Sequence, residues 1–186
     1  MNHTPTSRRQ FLKSAGALTL SFGIPLMDVH SQSAVAQDKP RLAGDLHIHR
    51  KLNAWIRIDS ANKMVELRIG KVELGQGILT AVAQVCADEL DVDFAKIKLI
   101  SGDTALVPDE GVTAGSFSMP YCATAVQAAS AEVRAILLGL AENKLNQPAA
   151  QLKVQNGVIR SGNGAQISYW ELVIGESLNR EATGLV

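Results

Sequence analysis

The sequence predicts an α+β fold in which β-hairpins pack with two main helices. Three observations support this class: apolar and polar residues alternate in AWIRID and MVELRIGKVEL, a helical period begins at Leu79, and residues 123–145 form a long Ala-rich segment. With 186 residues and 46% hydrophobic content, the chain can bury one core. Its formal net charge of zero implies neither nucleic acid nor an anionic membrane surface as a partner.

The first 36 residues have the pattern of an export signal. Arg8-Arg9 precedes Phe11-Leu12-Lys13 and an apolar stretch, and Ala34-Val35-Ala36 has the small-x-small form of a signal-peptidase site. The apolar stretch is shorter than the ~20 residues of a membrane span. We therefore expect residues 1–36 to be a twin-arginine signal that directs the folded protein to the periplasm. The alternative is an ordinary secretory signal that contains two arginines.

The predicted elements begin after residues 37–51, which have no helical period and are interpreted as a linker. His47 and His49 would share one face of an extended segment, but without a third ligand nearby we favour exposed polar residues over a metal pair. The sequence then predicts a hairpin that ends at residue 74, with AWIRID and MVELRIGKVEL as its strands and SANK as the turn. A helix follows, with its apolar residues at helical spacing: Leu79, Val82, Cys86 and Leu90.

The second half begins with the short predicted strand KIKLI and a loop of about 20 residues, which is long for a compact domain and favours a function. The Ala-rich helix then carries apolar residues at Val126, Ala129, Val133, Ile136, Leu137 and Leu140. QLKVQNGVIRS predicts a hairpin with Asn156-Gly157 as its turn. Ser168 is the predicted N-cap of a final helix, YWELVIG.

The two cysteines, Cys86 and Cys122, both fall in apolar segments that are predicted to be helical. We expect them to be buried thiols, although an exported protein also permits a disulfide. The sequence contains no CxxC pair, so it offers no framework for zinc or an iron–sulfur cluster.

Two loops rich in small residues are the candidate binding residues. Gly75-Gln76-Gly77 lies at a junction between strand and helix, but it satisfies neither the Walker motif nor the dinucleotide fingerprint. Glycines let the backbone approach a ligand, amides at a helix start face electronegative groups, and Gln76 can both donate and accept. The second loop offers Thr113, Ala114, Gly115, Ser116 and Ser118 before a helix. Together they predict a site for a large polar cofactor; two ordinary turns are an equal alternative on composition alone.

Residues 72–119 closely resemble the molybdenum-cofactor-binding subunit of the molybdenum hydroxylases, the xanthine dehydrogenase and aldehyde oxidase family. Within this family they are most similar to the isoquinoline 1-oxidoreductase β-subunit and nicotinate dehydrogenase type. The resemblance extends over roughly residues 52–183 and rests on four motifs in the family's order and spacing. They are Gly75-Gln76-Gly77, DELDV at 88–92, Gly102-Asp103-Thr104 and Thr113-Ala114-Gly115-Ser116.

This resemblance implies a partial molybdenum-cofactor-binding domain at residues 52–176, with the fold of such domains, followed by a truncated connecting segment at 177–186. It implies that the molybdenum cofactor, as molybdopterin cytosine dinucleotide, is bound by Gly75, Gln76, Gly77, Thr113, Ala114, Gly115, Ser116 and Ser118. The family reaction inserts a water-derived oxygen into an N-heterocycle or aldehyde. Electrons pass to a partner subunit that carries [2Fe–2S] clusters, and then to an acceptor such as a c-type cytochrome.

The sequence departs from the family in length. Family members are several times longer and carry their catalytic glutamate near the C-terminus, whereas this chain ends at Val186. Glu176 only superficially matches that context, so we assign no catalytic residue and no metal ligand. We expect the N-terminal part of such a subunit, inactive alone, and either a gene fragment or one piece of a split gene whose remaining part is a second chain. A non-catalytic exported remnant and a product that never folds stably are the alternatives.

Overall fold

Two three-stranded sheets and two main helices make up residues 39–186, the part of the chain that this computed structural model describes. The predicted export signal at residues 1–36 lies outside the described residues. The α+β class predicted from the sequence is confirmed. The end of the second strand and the length of the last helix need correction, and the third strand of the second sheet was not predicted.

The first sheet has the order β1-β2-β3, with β1 at Ile56–Asp59, β2 at Met64–Ile69 and β3 at Ile97–Ser101. β1 and β2 form the predicted antiparallel hairpin, and alternate residues of β2 are buried. Strand β2 ends at Ile69 rather than at the predicted residue 74. The reason is that the next N–H, on Gly70, donates to the side chain of Glu110 and the chain leaves the sheet.

Helix α1, Ile78–Leu90, connects β2 to β3, and these two strands run parallel with Val65 opposite Ile97. A parallel pair needs such a crossover, usually a helix. The buried side of α1 repeats every four residues from Ile78, whereas Leu79 is only partly buried. Helix α1 therefore packs on the sheet and returns the chain to the end at which β2 began, so that β3 can run parallel beside β2.

Helix α2, Thr124–Leu145, is the Ala-rich helix predicted from the sequence. Val126, Ala129, Val133 and Leu137 are fully buried on the side that packs against α1. A single π-helical turn, Ser118–Ala123, leads into it. The combined segment is long and apolar enough to cross a membrane, but its apolar side belongs to the core of the described unit.

The second sheet is antiparallel, with β4 at Lys153–Gln155, β5 at Val158–Arg160 and β6 at Gln166–Ser168. The Asn156-Gly157 turn is confirmed, and both residues have positive φ. Helix α3, Tyr169–Leu172, follows directly, and its predicted N-cap at Ser168 is confirmed by a capping box with Glu171. It is shorter than predicted, because the chain leaves the helix after Leu172 and reaches a left-handed residue at Gly175.

Residues 42–54 pack into the core through two 3₁₀ turns, Gly44–His47 and Leu52–Ala54. Residues 37–51 were interpreted as a linker because they show no helical period. A 3₁₀ turn of three or four residues is too short to produce such a period, so the pattern did not reveal that part of this segment packs into the core. Leu42, Leu46 and Leu52 are buried. The segment also meets residues 180–182, where the Leu52 N–H donates to the Arg180 carbonyl.

Cys86 and Cys122 are both free and buried, as predicted. Burial raises the pKa of the Cys86 thiol to about 12. Burial also raises the pKa of the Cys122 thiol, and the neighbouring Glu110 carboxyl raises it further.

Candidate cofactor site

The two small-residue loops predicted as binding segments face each other across one cavity of about 430 Å³. The first loop is residues 70–77, between β2 and α1, and the second loop is residues 102–117, between β3 and the π-helical turn. The cavity is lined by Leu74, Gln76, Ile78, Ala81, Thr113, Ala114, Gly115, Ser116, Ser118 and Met119. Gly75 and Gly77 are exposed on either side of Gln76.

The parallel pairing of β2 and β3 explains why the loops meet. Both loops follow the carboxyl ends of neighbouring parallel strands, which lie at one edge of the sheet. The sequence analysis predicted a strand, a helix and a strand in succession here, but it did not predict that the two strands are parallel neighbours. The sequence analysis predicted that the two loops serve one cofactor, and the parallel pairing of β2 and β3 is what brings them to one cavity.

Glu73 organises the first loop, a role that the sequence analysis did not assign. The N–H groups of Gly75 and Gly77 both donate to Glu73 Oε1 at 2.8 Å, and the Leu79 N–H donates to Oε2 at 3.3 Å. These bonds, led by that of Gly77, lower the pKa of the Glu73 carboxyl. Amides at the helix start that were expected to face a ligand are thus held by the chain's own carboxylate. An acid two residues before the first glycine is the sequence signal for this contact.

Gln76 closes the same loop with its side chain. Its Oε1 accepts from the Leu74 N–H at 2.5 Å, and its Nε2 donates to the Val72 carbonyl at 3.2 Å. The side chain stays exposed and lines the cavity. Gly75 and Gly77, at φ +94° and +75°, have open space where a Cβ would lie. A ligand can therefore approach the backbone on both sides of the Gln76 amide.

The second loop turns sharply beside the cavity, at two consecutive residues in the left-handed region. Gly115 has φ +61° and Ser116 has φ +58°. A Cβ on Gly115 would lie 2.8 Å from the ring of Phe117, which itself packs edge-on against Tyr121. Ser118 is buried and begins the π-helical turn, a feature that is frequent at functional sites. The turn presents small side chains and backbone groups to the cavity.

Direct hydrogen bonds tie the second loop to the first. The Val72 N–H donates to Thr113 Oγ1 at 2.9 Å, so this predicted site residue joins the loops as well as lining the cavity. Of the residues that the structure describes, none with a charged side chain lines the cavity. Within residues 39–186, no cluster of three or more His, Cys, Asp or Glu side chains is placed to hold a metal ion. The ring of His49 instead contacts the Asp109 carbonyl at 2.6 Å.

A family model, the molybdopterin cofactor-binding domain, matches residues 16–185. A nicotinate dehydrogenase subunit of Pseudomonas putida is 34% identical over 128 residues, which cover 69% of this chain and 11% of that protein. The β-subunit of isoquinoline 1-oxidoreductase from Brevundimonas diminuta is 29% identical over 183 residues, 90% of this chain and 22% of that protein. The chain thus spans less than a quarter of the length of either relative.

Two solved structures share the fold. The CO dehydrogenase of Oligotropha carboxidovorans aligns with a TM-score of 0.57 and 26% identity, over 69% of this chain and 16% of that chain. Quinoline 2-oxidoreductase of Pseudomonas putida 86 aligns with a TM-score of 0.55 and 22% identity, over 68% of this chain and 18% of that chain, and supports the fold alone. The family expected from the sequence motifs is confirmed: this chain belongs to the molybdopterin cofactor-binding domains of the molybdenum hydroxylase family.

Proposed function

We propose that this chain supplies part of the cofactor cradle of a periplasmic molybdenum hydroxylase. The observation that carries the proposal is one cavity lined by Gln76 from the first loop and by residues 113–116 from the second. Its volume of about 430 Å³ lies within the range of about 300–1,000 Å³ that is usual for pockets that bind small molecules. A cavity built by two separate loops of one family domain favours a ligand over two unrelated turns.

The residues present fit a large, polar, oxygen-rich group. Gly75 and Gly77 leave open space for close approach, and the Gln76 amide between them can donate and accept. Ser116 and Ser118 add hydroxyls from the opposite side, while Met119 and other apolar side chains complete the wall. We propose that Gly75, Gln76 and Gly77, together with residues 113–116 and Ser118, hold the cofactor.

When bound, the molybdenum cofactor would supply the two-electron redox chemistry that adds a water-derived oxygen to an organic substrate. The chain's own part is to bind and orient. Glu73 keeps the first loop in the shape in which Gln76 faces the cavity, and Thr113 keeps the second loop beside it. The apolar wall at Ile78 and Met119 would keep water from the bound group.

The finer parts of the proposal rest on relatives and motifs. Names such as nicotinate dehydrogenase and isoquinoline 1-oxidoreductase favour an N-heterocycle as substrate, with an aldehyde as the alternative. Both relatives are named as subunits, which supports a complex of several subunits. From the family resemblance we propose that electrons pass to a [2Fe–2S] partner subunit and onward to an acceptor such as a c-type cytochrome. We propose molybdopterin cytosine dinucleotide as the form of the cofactor. The Arg8-Arg9 signal supports export to the periplasm.

We also propose that the isolated chain is inactive. It spans 11% and 22% of the two relatives, so most of the cofactor cradle, the substrate pocket and the catalytic base would come from the remainder of the subunit. That remainder would be joined to these residues or supplied as a second chain.

The test is the composition of the native complex, purified from the periplasm through a tag on this chain. We expect about one molybdenum per complex, iron from the partner subunit, and a second large polypeptide or a longer form of this one. Gln76→Ala should lower the molybdenum content, whereas Gln151→Ala, at an exposed glutamine that does not line the cavity, should not. A lone chain without molybdenum would instead support a remnant that keeps only the fold.

A further inference from the structure

We propose that Lys71 is a positioning residue for the cofactor site: its buried ammonium fixes the second loop against the first. The inference rests on the proposed function, because it concerns how that site is shaped. Lys71 does not line the cavity, so it would act through the residues that do.

Lys71 is the most deeply buried charged residue of residues 39–186. Its exposed fraction is 3%. The ammonium donates to the carbonyl of Glu110 at 2.5 Å and to the carbonyl of Val112 at 3.1 Å. Within residues 39–186 it forms no salt bridge within 4.0 Å. Burying a charge is costly unless hydrogen bonds compensate it, so the two carbonyls are its stabilising partners.

The flanking residues make matching bonds to the same part of the second loop. The Gly70 N–H donates to Glu110 Oε2 at 2.5 Å, and the Val72 N–H donates to Thr113 Oγ1 at 2.9 Å. Three consecutive residues therefore hold residues 110–113, although the two segments are not paired as strands. The carbonyl of Lys71 also accepts from Ser101 Oγ at 2.6 Å, which anchors it to the end of β3.

Residues 110–113, which these bonds hold, continue directly into the cavity wall. Residues 113–116, which line the cavity, follow Val112 without a break. The Val112 carbonyl, held by Lys71, is thus the last fixed point before them. Glu110, whose carbonyl accepts from Lys71, lies buried near Asp45 and Cys122. Burial raises the pKa of the Glu110 carboxyl, and the Lys71 charge offsets part of that effect.

The experiment compares Lys71→Met with the wild type in the native complex. Methionine keeps an unbranched apolar chain and removes the ammonium. Lys98→Met is the matched control, since Lys98 lies on β3 with an exposed side chain and does not line the cavity. Lys71→Arg is the conservative variant that retains a cation. Molybdenum per complex and amide hydrogen exchange of residues 113–118 are measured for all four proteins.

We expect Lys71→Met to lower the molybdenum content and to speed exchange at residues 113–118 by about tenfold to a hundredfold, the effect of losing a hydrogen bond to a charged group. Exchange within α2 should be unchanged, Lys71→Arg should recover part of the loading, and Lys98→Met should match the wild type. Wild-type loading and exchange in Lys71→Met would overturn the proposal, as would a uniform loss of protection that includes α2. A wild-type complex without molybdenum would instead refute the proposed function. The exchange data would still show whether Lys71 holds the second loop in place.

Discussion

Gly44 offers a direct test of how the segment before β1 packs against the π-helical turn. It begins the 3₁₀ turn Gly44–His47 with φ +48°, and it lies against the π-helical turn that starts at Ser118. A Cβ at this position would lie 2.0 Å from the backbone oxygen of Tyr121 and 2.5 Å from Thr124 Oγ1. The first contact is with backbone, so no side-chain rotation relieves it.

The expected cost of Gly44→Ala has two parts. A non-glycine residue in the left-handed region costs roughly 1–2 kcal/mol. Overpacking a close contact adds typically about 1–3 kcal/mol. The sum is a loss of about 2–5 kcal/mol in the free energy of unfolding, which is a large fraction of the roughly 5–15 kcal/mol of a typical domain.

Gly164→Ala isolates the backbone part. Gly164 also has positive φ, at +89°, but no atom of the described residues lies within 4 Å of the position that a Cβ would take. It should therefore lose only about 1–2 kcal/mol, the cost of the left-handed backbone. Urea unfolding of the purified chain, with linear extrapolation to water, measures both losses. Equal losses in the two variants would refute the argument that contact with Tyr121 makes Gly44 necessary.

Three further predictions follow from named contacts. Glu73→Ala should speed amide exchange at Gly75 and Gly77, while Glu142→Ala, at an exposed site on α2, should not. In the wild type the protection of these two amides is present at neutral pH and is lost as the pH falls through the lowered pKa of Glu73, because only its carboxylate form accepts all of these bonds. Cys86 and Cys122 should resist a thiol reagent at pH 8 in the folded chain and react once it is unfolded in urea, because burial raises the pKa of both; rapid labelling of the folded chain would contradict their burial. Glu132→Ala should lower the free energy of unfolding in urea by about 2–4 kcal/mol and should expose residues 183–186 to proteolysis, because the Glu132 carboxylate accepts N–H bonds from two residues of that segment. A loss of stability no larger than that of Glu142→Ala would count against this role.

Local signals in the sequence were sufficient for the elements that depend on neighbouring residues. The Ala-rich period predicted α2, Asn156-Gly157 predicted the hairpin turn, and Ser168 predicted the cap of α3. Each of these interactions spans only a few residues, so the pattern that produces it can be read directly. Strand β6 was missed because three residues with a single apolar side chain form too short a pattern to recognise.

For the site, the sequence by itself determined the family motifs and the two glycine-containing loops. Only the tertiary structure decided which residues of these loops line the cavity, that β2 and β3 run parallel, and that Lys71 holds carbonyls about 40 residues further along the chain. The physical reason is range. A turn or cap is decided by adjacent residues, whereas strand pairing and a buried ammonium depend on groups that are distant in sequence and meet only when the core has formed.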